Sequence, residues 1–592
     1  MDTNAPKKGT MSKIFKLLLP FKKQLFLLIL LMLVISIIQA LPPLISRYII
    51  NDIIGANKRE QLFGIACVAI AIPTCNALLG FIQSMGVSIV GQRFILKLKM
   101  DIYKHLLNLH MGYFSKNSTG KLINRIMGDS TALLFILDAG SIQIIADMFC
   151  STFAITAAFY INWRLSIILV IVLSLFYLNF IILRKRIRMA WKNFRTAGDK
   201  LASGVQNRLS ANLTVKTYSA EERENIVFSE ETNTASIYAH NGWKASSDNS
   251  FNAQLLQKFG HAAIFFIGCG MILNNSTTYG DVTAFVAYAN MLFWPIIRFT
   301  MFAERLQNVR IAADRLFEIL EEEPQVKEAE NPITLKNVSG KVDFNNIHFE
   351  YEEGHPIICG FDLHVKPGET IALVGPTGCG KTTILSLLMR FWDVKEGSIT
   401  IDGVDIREIS KYSLKSLFGI VLQESLLFTT SIADNIRYAR PSATMDEVIN
   451  AAKIAEIHNE IMALPRGYES VIGDKDVQLS VGQKQRISIA RAVLANPTIL
   501  IMDEATSSLD SRSESAIKQA LDRFLSNKTS FIVAHRLSTI KNADKIILLD
   551  KGTIIEQGNH EELMQIENGR YRELYEKHSG AGIILDDSEA EE

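Results

Sequence analysis

The chain has 592 residues, a formal net charge of +1 and six cysteines. Its length requires more than one domain, and its balanced charge argues against nucleic acid as a partner. The cysteines show no CxxC or metal-ligand spacing, so free thiols are expected and a disulfide framework is not.

Long apolar runs dominate the chain up to about residue 303. A helix needs about 20 mostly apolar residues to cross the hydrocarbon core of a membrane. We therefore predict an all-α transmembrane domain of six helices over residues 21–320, after a cytoplasmic segment at 1–20. The predicted spans are Leu25–Leu44, Leu62–Met85, Ile142–Ile161, Leu165–Leu183, Ala253–Leu273 and Val282–Phe302.

Basic residues predict the orientation of these spans. Lysine and arginine cluster in the N-terminal segment and in the loops after the second and fourth spans. The loops Asn162–Arg164 and Asn274–Asp281 are short and hold almost none. Because positive residues stay on the cytoplasmic side, both chain ends and the two long loops are expected in the cytoplasm. The first outer loop, with Arg47, Lys58 and Arg59, gives no clear orientation.

The two long inner loops are predicted to be helical. Gln92–Asn108 and Ala190–Ala235 combine helical apolar spacing with an absence of proline, so we expect the membrane helices to continue into the cytoplasm. Amphipathic helices lying on anionic lipid are the alternative interpretation, since the basic residues would suit that surface as well. Short breaks at Asn117–Gly120 and Leu209–Lys216 favour the first interpretation, because each helical hairpin could turn there.

Beyond residue 321 the pattern changes to alternating strands and helices, which is typical of an α/β domain. We predict a linker over 321–338, an α/β P-loop domain over 339–578 and a disordered acidic tail over 579–592. Gly375–Thr382 matches G-x-x-x-x-G-K-[ST] between an apolar strand, Thr370–Val374, and a helix, Thr382–Arg390. This context separates a phosphate-binding loop from a chance match.

The residues of this loop have distinct expected roles. Backbone N–H groups of the loop and of the helix N-terminus surround the phosphates. Lys381 reaches the β- and γ-phosphates, and the Thr382 hydroxyl binds Mg²⁺. The Cys379 thiol takes no part, because its neighbours position the phosphates. The expected ATP-binding residues here are Gly375, Pro376, Thr377, Gly378, Cys379, Gly380, Lys381, Thr382 and Thr383.

A second element lies downstream, where the apolar stretch Thr498–Met502 ends in Asp503 and Glu504. Such a strand delivers one carboxylate to the Mg²⁺ shell and a neighbouring one that can polarise the attacking water. Two acids that merely end a strand are the plainer alternative. The complete phosphate loop upstream favours the catalytic interpretation.

With these motifs and those named below, the sequence resembles a known family, the ATP-binding cassette (ABC) exporters of the type IV fold. The resemblance covers roughly residues 15–578, and its motifs occur in the family's order. The stretches that carry it are Tyr113-Phe114, Thr119–Leu122, Gly280–Val282, Trp294–Ile296, Tyr351, Gln423, Leu479–Gln483, Ser507–Asp510 and Ala534–Arg536.

What the resemblance implies is a composite ATP site in a dimer, with the phosphate loop of one chain facing the signature stretch Leu479–Gln483 of its partner. It implies catalytic roles for Glu504, His535, Lys381 and Gln423, and Mg²⁺ ligands at Thr382, Gln423 and Asp503. It also implies that Tyr351 stacks on adenine and that Asp510 belongs to the D-loop. From the partner's signature it implies ATP contacts by Ser480, Gly482 and Gln483.

The partner is expected to be a second copy of the chain or a homologous half-transporter. Two departures from the family pattern bear on this choice, since Val481 and Asp476 stand where glycine is usual. A β-branched side chain is stiffer and bulkier than glycine. The departures are either tolerated variants or the mark of a heterodimer with one weak ATP site, and a homodimer is our first expectation.

The expected activity is ATP hydrolysis coupled to export, or to flipping between leaflets, of an amphiphilic or hydrophobic small molecule, drug or lipid by alternating access. Export of a mature peptide is the alternative, and an ATP-gated channel would share every motif. Ionisable residues inside spans are functional candidates, so Asp147 and His261 are candidates for the substrate path, with a structural role as the alternative. The resemblance implies a multi-pass protein of the bacterial inner membrane.

Overall fold

The computed structural model describes residues 9–55, 57–422, 425–473, 477–503, 528–533 and 540–581. The chain divides into two compact units. One comprises Met1–Leu107 with Thr119–Glu322, and the other comprises Asn108–Ser118 with Glu323–Glu592. The short segment 108–118 therefore belongs to the second unit although it lies far upstream in the sequence.

Helices build the first unit. Three of them are unusually long, with 47, 48 and 53 residues. At 1.5 Å per residue even the shortest measures about 70 Å, more than twice the hydrocarbon thickness of a membrane. The helices are Thr10–Leu18, Lys22–Gln39, Pro42–Tyr48, Leu62–Asn108, Thr119–Asn124, Ser130–Ala132, Ala139–Ile161, Trp163–Ser210, Asn212–Thr217, Glu221–Leu273 and Tyr279–Leu320.

These lengths confirm the predicted helical extensions. Gln92–Asn108 completes the helix that contains the second span, and Ala190–Ser210 completes the helix of the fourth. The second predicted break, Leu209–Lys216, coincides with the end of one helix and the short helix Asn212–Thr217. The basic residues from Arg93 to Lys104 and from Arg184 to Lys200 therefore lie on two long continuous helices, whereas Lys116 and Lys121 lie on the short helices Met111–Lys116 and Thr119–Asn124.

Among the described residues, five helical stretches are long and apolar enough to cross a membrane. They contain the first five predicted spans. The sixth predicted span, Val282–Phe302, lies within the 42-residue helix Tyr279–Leu320, part of whose side chains fall outside the described set.

Small residues let the membrane helices approach closely. A Cβ atom on Gly260 would lie 2.6 Å from Val172, and one on Gly268 would lie 2.8 Å from Val282. The core of this unit packs the small side chains of the helix Ala139–Ile161 against the aromatic residues Phe285 and Tyr288. The buried Tyr288 hydroxyl donates to the carbonyl of Ala40 at 3.0 Å, so its polar end is also satisfied.

The second unit contains two β-sheets and the helices that cover them. One sheet has the strand order β2-β1-β4-β5, and the other has β10-β9-β3-β8-β7-β6. The strands are β1 Val342–Glu350, β2 Pro356–Val365, β3 Thr370–Val374, β4 Glu396–Ile401, β5 Val404–Asp405, β6 Phe418–Val421, β7 Ile499–Asp503, β8 Thr529–Val533, β9 Lys545–Asp550 and β10 Thr553–Gly558. The helices are Met111–Lys116, Lys381–Leu388, Lys411–Ser416, Ile432–Arg437, Met445–Ile454, His458–Met462, Val481–Ala495, His560–Met564 and Arg570–Ala581.

Two hydrophobic cores lie on opposite faces of the larger sheet. Ile371 and Leu373 of β3 contribute to one core, and their neighbours Ala372 and Val374 contribute to the other. Strands buried on both faces have near-continuous apolar sequences, as in Ile371–Val374 of β3 and Ile499–Met502 of β7. The predicted fold class is confirmed: a helical transmembrane domain is fused to an α/β P-loop domain.

Candidate functional site

The larger sheet brings the predicted motifs to one edge. Strands β9, β3, β8, β7 and β6 are parallel neighbours in this order, so their carboxyl ends share an edge. In open α/β sheets ligands bind outside this edge. The phosphate loop follows β3, and Asp503 is the last residue of β7, with only β8 between the two strands.

Four predicted site residues lie outside the described residues. Gln423 comes two positions after β6 ends, Glu504 comes directly after β7, and His535 comes two positions after β8. Asp510 and the variant position Asp476 are also outside. In chain position, the first three each follow a strand that ends at the shared edge.

The phosphate loop owes its shape to contacts within the second unit. Gly375 has φ 150°, and a Cβ atom there would collide with the carbonyl oxygen of Leu549 on β9 and lie 2.9 Å from Cys379 Sγ. Lys381 is only 7% exposed, and its ammonium donates to the carbonyl oxygens of Gly375 at 2.6 Å and Pro376 at 2.9 Å. The Lys381 side chain therefore folds back onto the phosphate loop, where its ammonium contacts the loop's own carbonyl oxygens.

The Cys379 side chain is buried beneath this loop. Burial raises the pKa of its thiol, and the nearby Lys381 ammonium only partly opposes that shift. The side chain is consequently a neutral thiol packed in the core of β1, β2 and β3, which agrees with the prediction that the thiol takes no part.

Tyr351 stands beside the loop at the end of β1. Its hydroxyl donates to Thr383 Oγ1 at 3.2 Å, and its ring meets the ring of Trp392 edge-on with centroids 5.0 Å apart. The side chain is nevertheless 41% exposed, so ring surface remains available for stacking. Thr383 is buried, whereas the preceding Thr382 is exposed at the start of the helix.

The signature stretch forms the start of a different helix, Val481–Ala495. Ser480 and Gln483 cap it reciprocally: the Gln483 N–H donates to Ser480 Oγ at 3.2 Å, and the Ser480 N–H donates to Gln483 Oε1 at 2.8 Å. This is a capping box, which satisfies two helix N–H groups at once. Gly482 is buried and Val481 is 58% exposed. No hydrogen bond within the described chain joins Ser480 or Gln483 to the phosphate loop.

Within the second unit, the segment 108–118 packs against Trp392. The His110 and Trp392 rings meet edge-on with centroids 6.0 Å apart, and the Gln325 N–H donates to His110 Nδ1 at 3.4 Å. A Cβ atom on Gly112, in the helix Met111–Lys116, would collide with the Trp392 ring. Sequence reasoning missed Trp392, because an isolated aromatic residue after a helix carries no signal of the residues that it contacts in the fold.

In the first unit, the candidate Asp147 is buried and forms an ion pair with Arg298, whose Nε lies 3.0 Å from Asp147 Oδ2. Gln143 donates to the other carboxylate oxygen at 3.4 Å. His261 packs edge-on against Phe293. Arg298 is a residue that sequence reasoning missed, although an arginine inside a predicted span was itself a signal.

Comparisons with known proteins agree with this geometry. The family model described as ABC transporter transmembrane region matches residues 25–296, and the model described as ABC transporter matches residues 358–507. The chain is 32% identical over 578 residues to YgaD of Bacillus subtilis, provisionally named as a multidrug export ATP-binding/permease protein, covering 96% of this chain and 99% of YgaD.

Two further relatives are named ATP-dependent lipid A-core flippase. The protein of Syntrophus aciditrophicus is 34% identical over 530 residues, covering 89% of this chain and 87% of the relative. The protein of Desulfotalea psychrophila is 32% identical over 572 residues, covering 96% and 99%. These alignments run through the membrane half and the α/β half alike.

Proposed function

The chain belongs to the ABC transporters, as a membrane protein that couples ATP hydrolysis to export, and from this premise we propose that two copies form the working unit. Each phosphate loop would hold an ATP whose γ-phosphate meets the signature stretch of the other copy. Hydrolysis would split ATP into ADP and phosphate, so the γ-phosphate that joins the two copies would be lost and the two ATPase domains could part. This is a switch by differential affinity, as ligand-driven conformational changes require.

One observation carries the proposal: the two halves of the expected ATP site lie on separate elements of one chain. The phosphate loop and Asp503 share the carboxyl edge of the larger sheet. Ser480 caps a different helix, and its side chain is exposed. A second copy can supply Ser480 to the nucleotide, which favours a symmetric dimer.

The residues at the sheet edge fit Mg²⁺ as well as nucleotide. Mg²⁺ prefers oxygen ligands together with substrate phosphates, and the exposed Thr382 hydroxyl and the Asp503 carboxylate are such oxygens. Mg²⁺ would neutralise phosphate charge during the reaction. The proposed roles are phosphate binding by Lys381, metal binding by Thr382, Asp503 and Gln423, water activation by Glu504, a γ-phosphate contact by His535, adenine stacking by Tyr351, and an interface role for Asp510.

We propose an amphiphilic or hydrophobic substrate, in line with the names of the relatives, which describe lipid A-core flipping and multidrug export. Asp147, with its Arg298 partner, and His261 are the proposed polar positions of the substrate path. The proposed setting is the bacterial cell membrane, with the ATPase domain and both termini in the cytoplasm. The proposed domain boundaries are those predicted from the sequence.

The first test is the oligomeric state and Mg²⁺-dependent ATPase activity of the full chain, purified alone in lipid nanodiscs, beside Glu504→Gln. We expect a dimer with ATPase activity, and a variant that retains ATP in a closed dimer without hydrolysing it. Glu561→Gln is the matched control, because Glu561 is an exposed acid on the helix His560–Met564.

Two outcomes would contradict the proposal in different ways. Near-normal hydrolysis by Glu504→Gln would remove Glu504 from its proposed role. A well-folded wild-type protein that stays monomeric or inactive would contradict the self-sufficient dimer, and would favour a heterodimer with a homologous half-transporter.

A further inference from the structure

A carboxylate outside the recognised motifs holds the signature stretch in place. Gln483 Nε2 donates to Glu460 Oε2 at 2.8 Å, and the other oxygen, Glu460 Oε1, lies 2.7 Å from an Arg486 guanidinium nitrogen. Glu460 belongs to the separate short helix His458–Met462. It therefore connects two residues of the signature helix to a neighbouring element.

The contact fixes which way the Gln483 amide points. An amide side chain has one acceptor end and one donor end. An ionised carboxylate only accepts, so it binds the donor end and leaves Oε1 facing the Ser480 N–H, which donates to it at 2.8 Å. With the amide reversed, two N–H donors would face each other and the capping box would lose one of its bonds.

The capping box in turn sets the orientation of the Ser480 hydroxyl. Ser480 Oγ accepts the Gln483 N–H at 3.2 Å, so its own proton points away from that bond. A serine hydroxyl has one donor and two acceptor positions, and the donor is thus directed to an outside acceptor. Under the proposed function that acceptor is the γ-phosphate of ATP held by the other copy.

We infer that Glu460 is a positioning residue for the composite ATP site, acting through the Gln483 amide on the donor direction of Ser480. This inference rests on the proposed function, since it needs ATP to meet the signature stretch. The proposed action of Glu460 is indirect, because its side chain contacts Gln483 and Arg486. Its effect is on how well the signature stretch is ordered before ATP arrives.

Arg486 complicates any test, because it is buried and relies on Glu460 and on the carbonyl oxygen of Glu456, at 2.7 Å, for its partners. Removing Glu460, whose own side chain is partly exposed, leaves the buried Arg486 without its charged partner and so destabilises the fold. A loss of stability alone would therefore say nothing about positioning. The variants must separate the two effects.

The negative charge of Glu460, taken alone, predicts the opposite change in ATP affinity. A negative group near the signature stretch repels ATP, so neutralising it would tighten ATP binding if charge alone mattered. The positioning role predicts the reverse for a variant without an acceptor, and little change for one that keeps an acceptor. Glu460→Gln and Glu460→Ala therefore form a matched pair.

The experiment measures KM for ATP and kcat of the full-length protein in nanodiscs, together with the thermal midpoint. For Glu460→Ala we expect KM to rise about three- to tenfold, as for the loss of one typical hydrogen bond, with a smaller change in kcat. Glu460→Gln is expected to keep KM within about twofold of wild type, because its amide oxygen still accepts from Gln483. Its thermal midpoint is expected to fall, because the amide NH2 then faces the Arg486 guanidinium in place of a carboxylate oxygen. The double variant Glu460→Ala/Arg486→Met is expected to regain thermal stability while KM stays high.

Other results would overturn the inference. If Glu460→Ala lowers only the thermal midpoint, or if the double variant restores KM as well, Glu460 is structural. If both single variants lower KM, charge is its only effect. Failure of the proposed function is visible separately, because Glu504→Gln would then form no closed dimer even with Glu460 intact.

Discussion

The phosphate loop and the signature stretch bind the same ligand in the proposed dimer, yet they are built in opposite ways. The loop is shaped by its own chain: Gly375 is pressed against the Leu549 carbonyl, and Lys381 is folded onto the loop's carbonyl oxygens. The signature stretch has an open face, on which Val481 is 58% exposed. The fold therefore restricts the residue type at a position that is crowded by atoms of the same chain. It does not restrict the residue type at an exposed position, where only a second copy could make contact.

The strongest test of this difference is Gly375→Ala. The added Cβ would collide with the Leu549 carbonyl, and φ 150° is a conformation that alanine rarely adopts. Overpacking costs about 1–3 kcal/mol, which corresponds to about 5- to 150-fold weaker ATP binding if the loop bears the cost. Equilibrium binding of a fluorescent ATP analogue measures the loss.

Gly368→Ala is the matched control for this variant. Gly368 also has a positive φ, 79°, but a Cβ atom there would have no neighbour within 4 Å, and it lies in the turn before β3. It shares the positive φ of Gly375 without the collision. Equal losses of ATP binding in the two variants would show that strain, and not crowding by Leu549, governs the loop.

The difference between the two regions also explains what the sequence could predict. The phosphate loop is encoded in eight consecutive residues between a strand and a helix, and the predicted strand Thr370–Val374 agrees with β3. The long inner helices were predictable because their apolar period continues past the membrane. Local patterns therefore sufficed for the fold class and for the phosphate-binding half of the site.

The contacts that sequence reasoning missed all join distant parts of the chain. In the sequence nothing distinguishes Glu460 from other acidic residues, and its hydrogen bond with Gln483 is visible only in the fold. The contact between Trp392 and Gly112 is visible only in the fold. Asp147 was identified from the sequence, but its partner Arg298 was not. Such pairs depend on packing between elements, which a single sequence does not specify.

An effect of intermediate size is expected at Gly112, a crowded glycine outside the proposed ATP site. A Cβ atom there would collide with the Trp392 ring and lie 2.7 and 2.9 Å from two of its other atoms. Gly112→Ala must therefore displace the helix Met111–Lys116 or the tryptophan, at a cost of about 1–3 kcal/mol. We expect a lower thermal midpoint and altered fluorescence of Trp392, measured with the other tryptophans replaced.

Gly120→Ala controls for the change of residue type, because a Cβ atom at Gly120 would meet nothing within 4 Å and the residue is helical. In a helix, alanine is about 0.5–1 kcal/mol more favourable than glycine, so this variant should keep or raise the thermal midpoint. A fall as large as that of Gly112→Ala would mean that Trp392 yields easily and that the contact is loose.

The smallest effect is expected from Val481→Gly, which restores the residue usual in the family. The capping box, the buried Gly482 and the exposed Ser480 are all in place with valine present, and the valine side chain points largely into solvent. The intrinsic helix cost of glycine over valine is about 0.4 kcal/mol, so kcat and KM for ATP should change by less than about threefold. A rise in ATPase activity of tenfold or more would show that the valine obstructs the partner's nucleotide. The chain would then resemble the weaker half of a heterodimer, and contact with the partner would restrict the residue type at position 481.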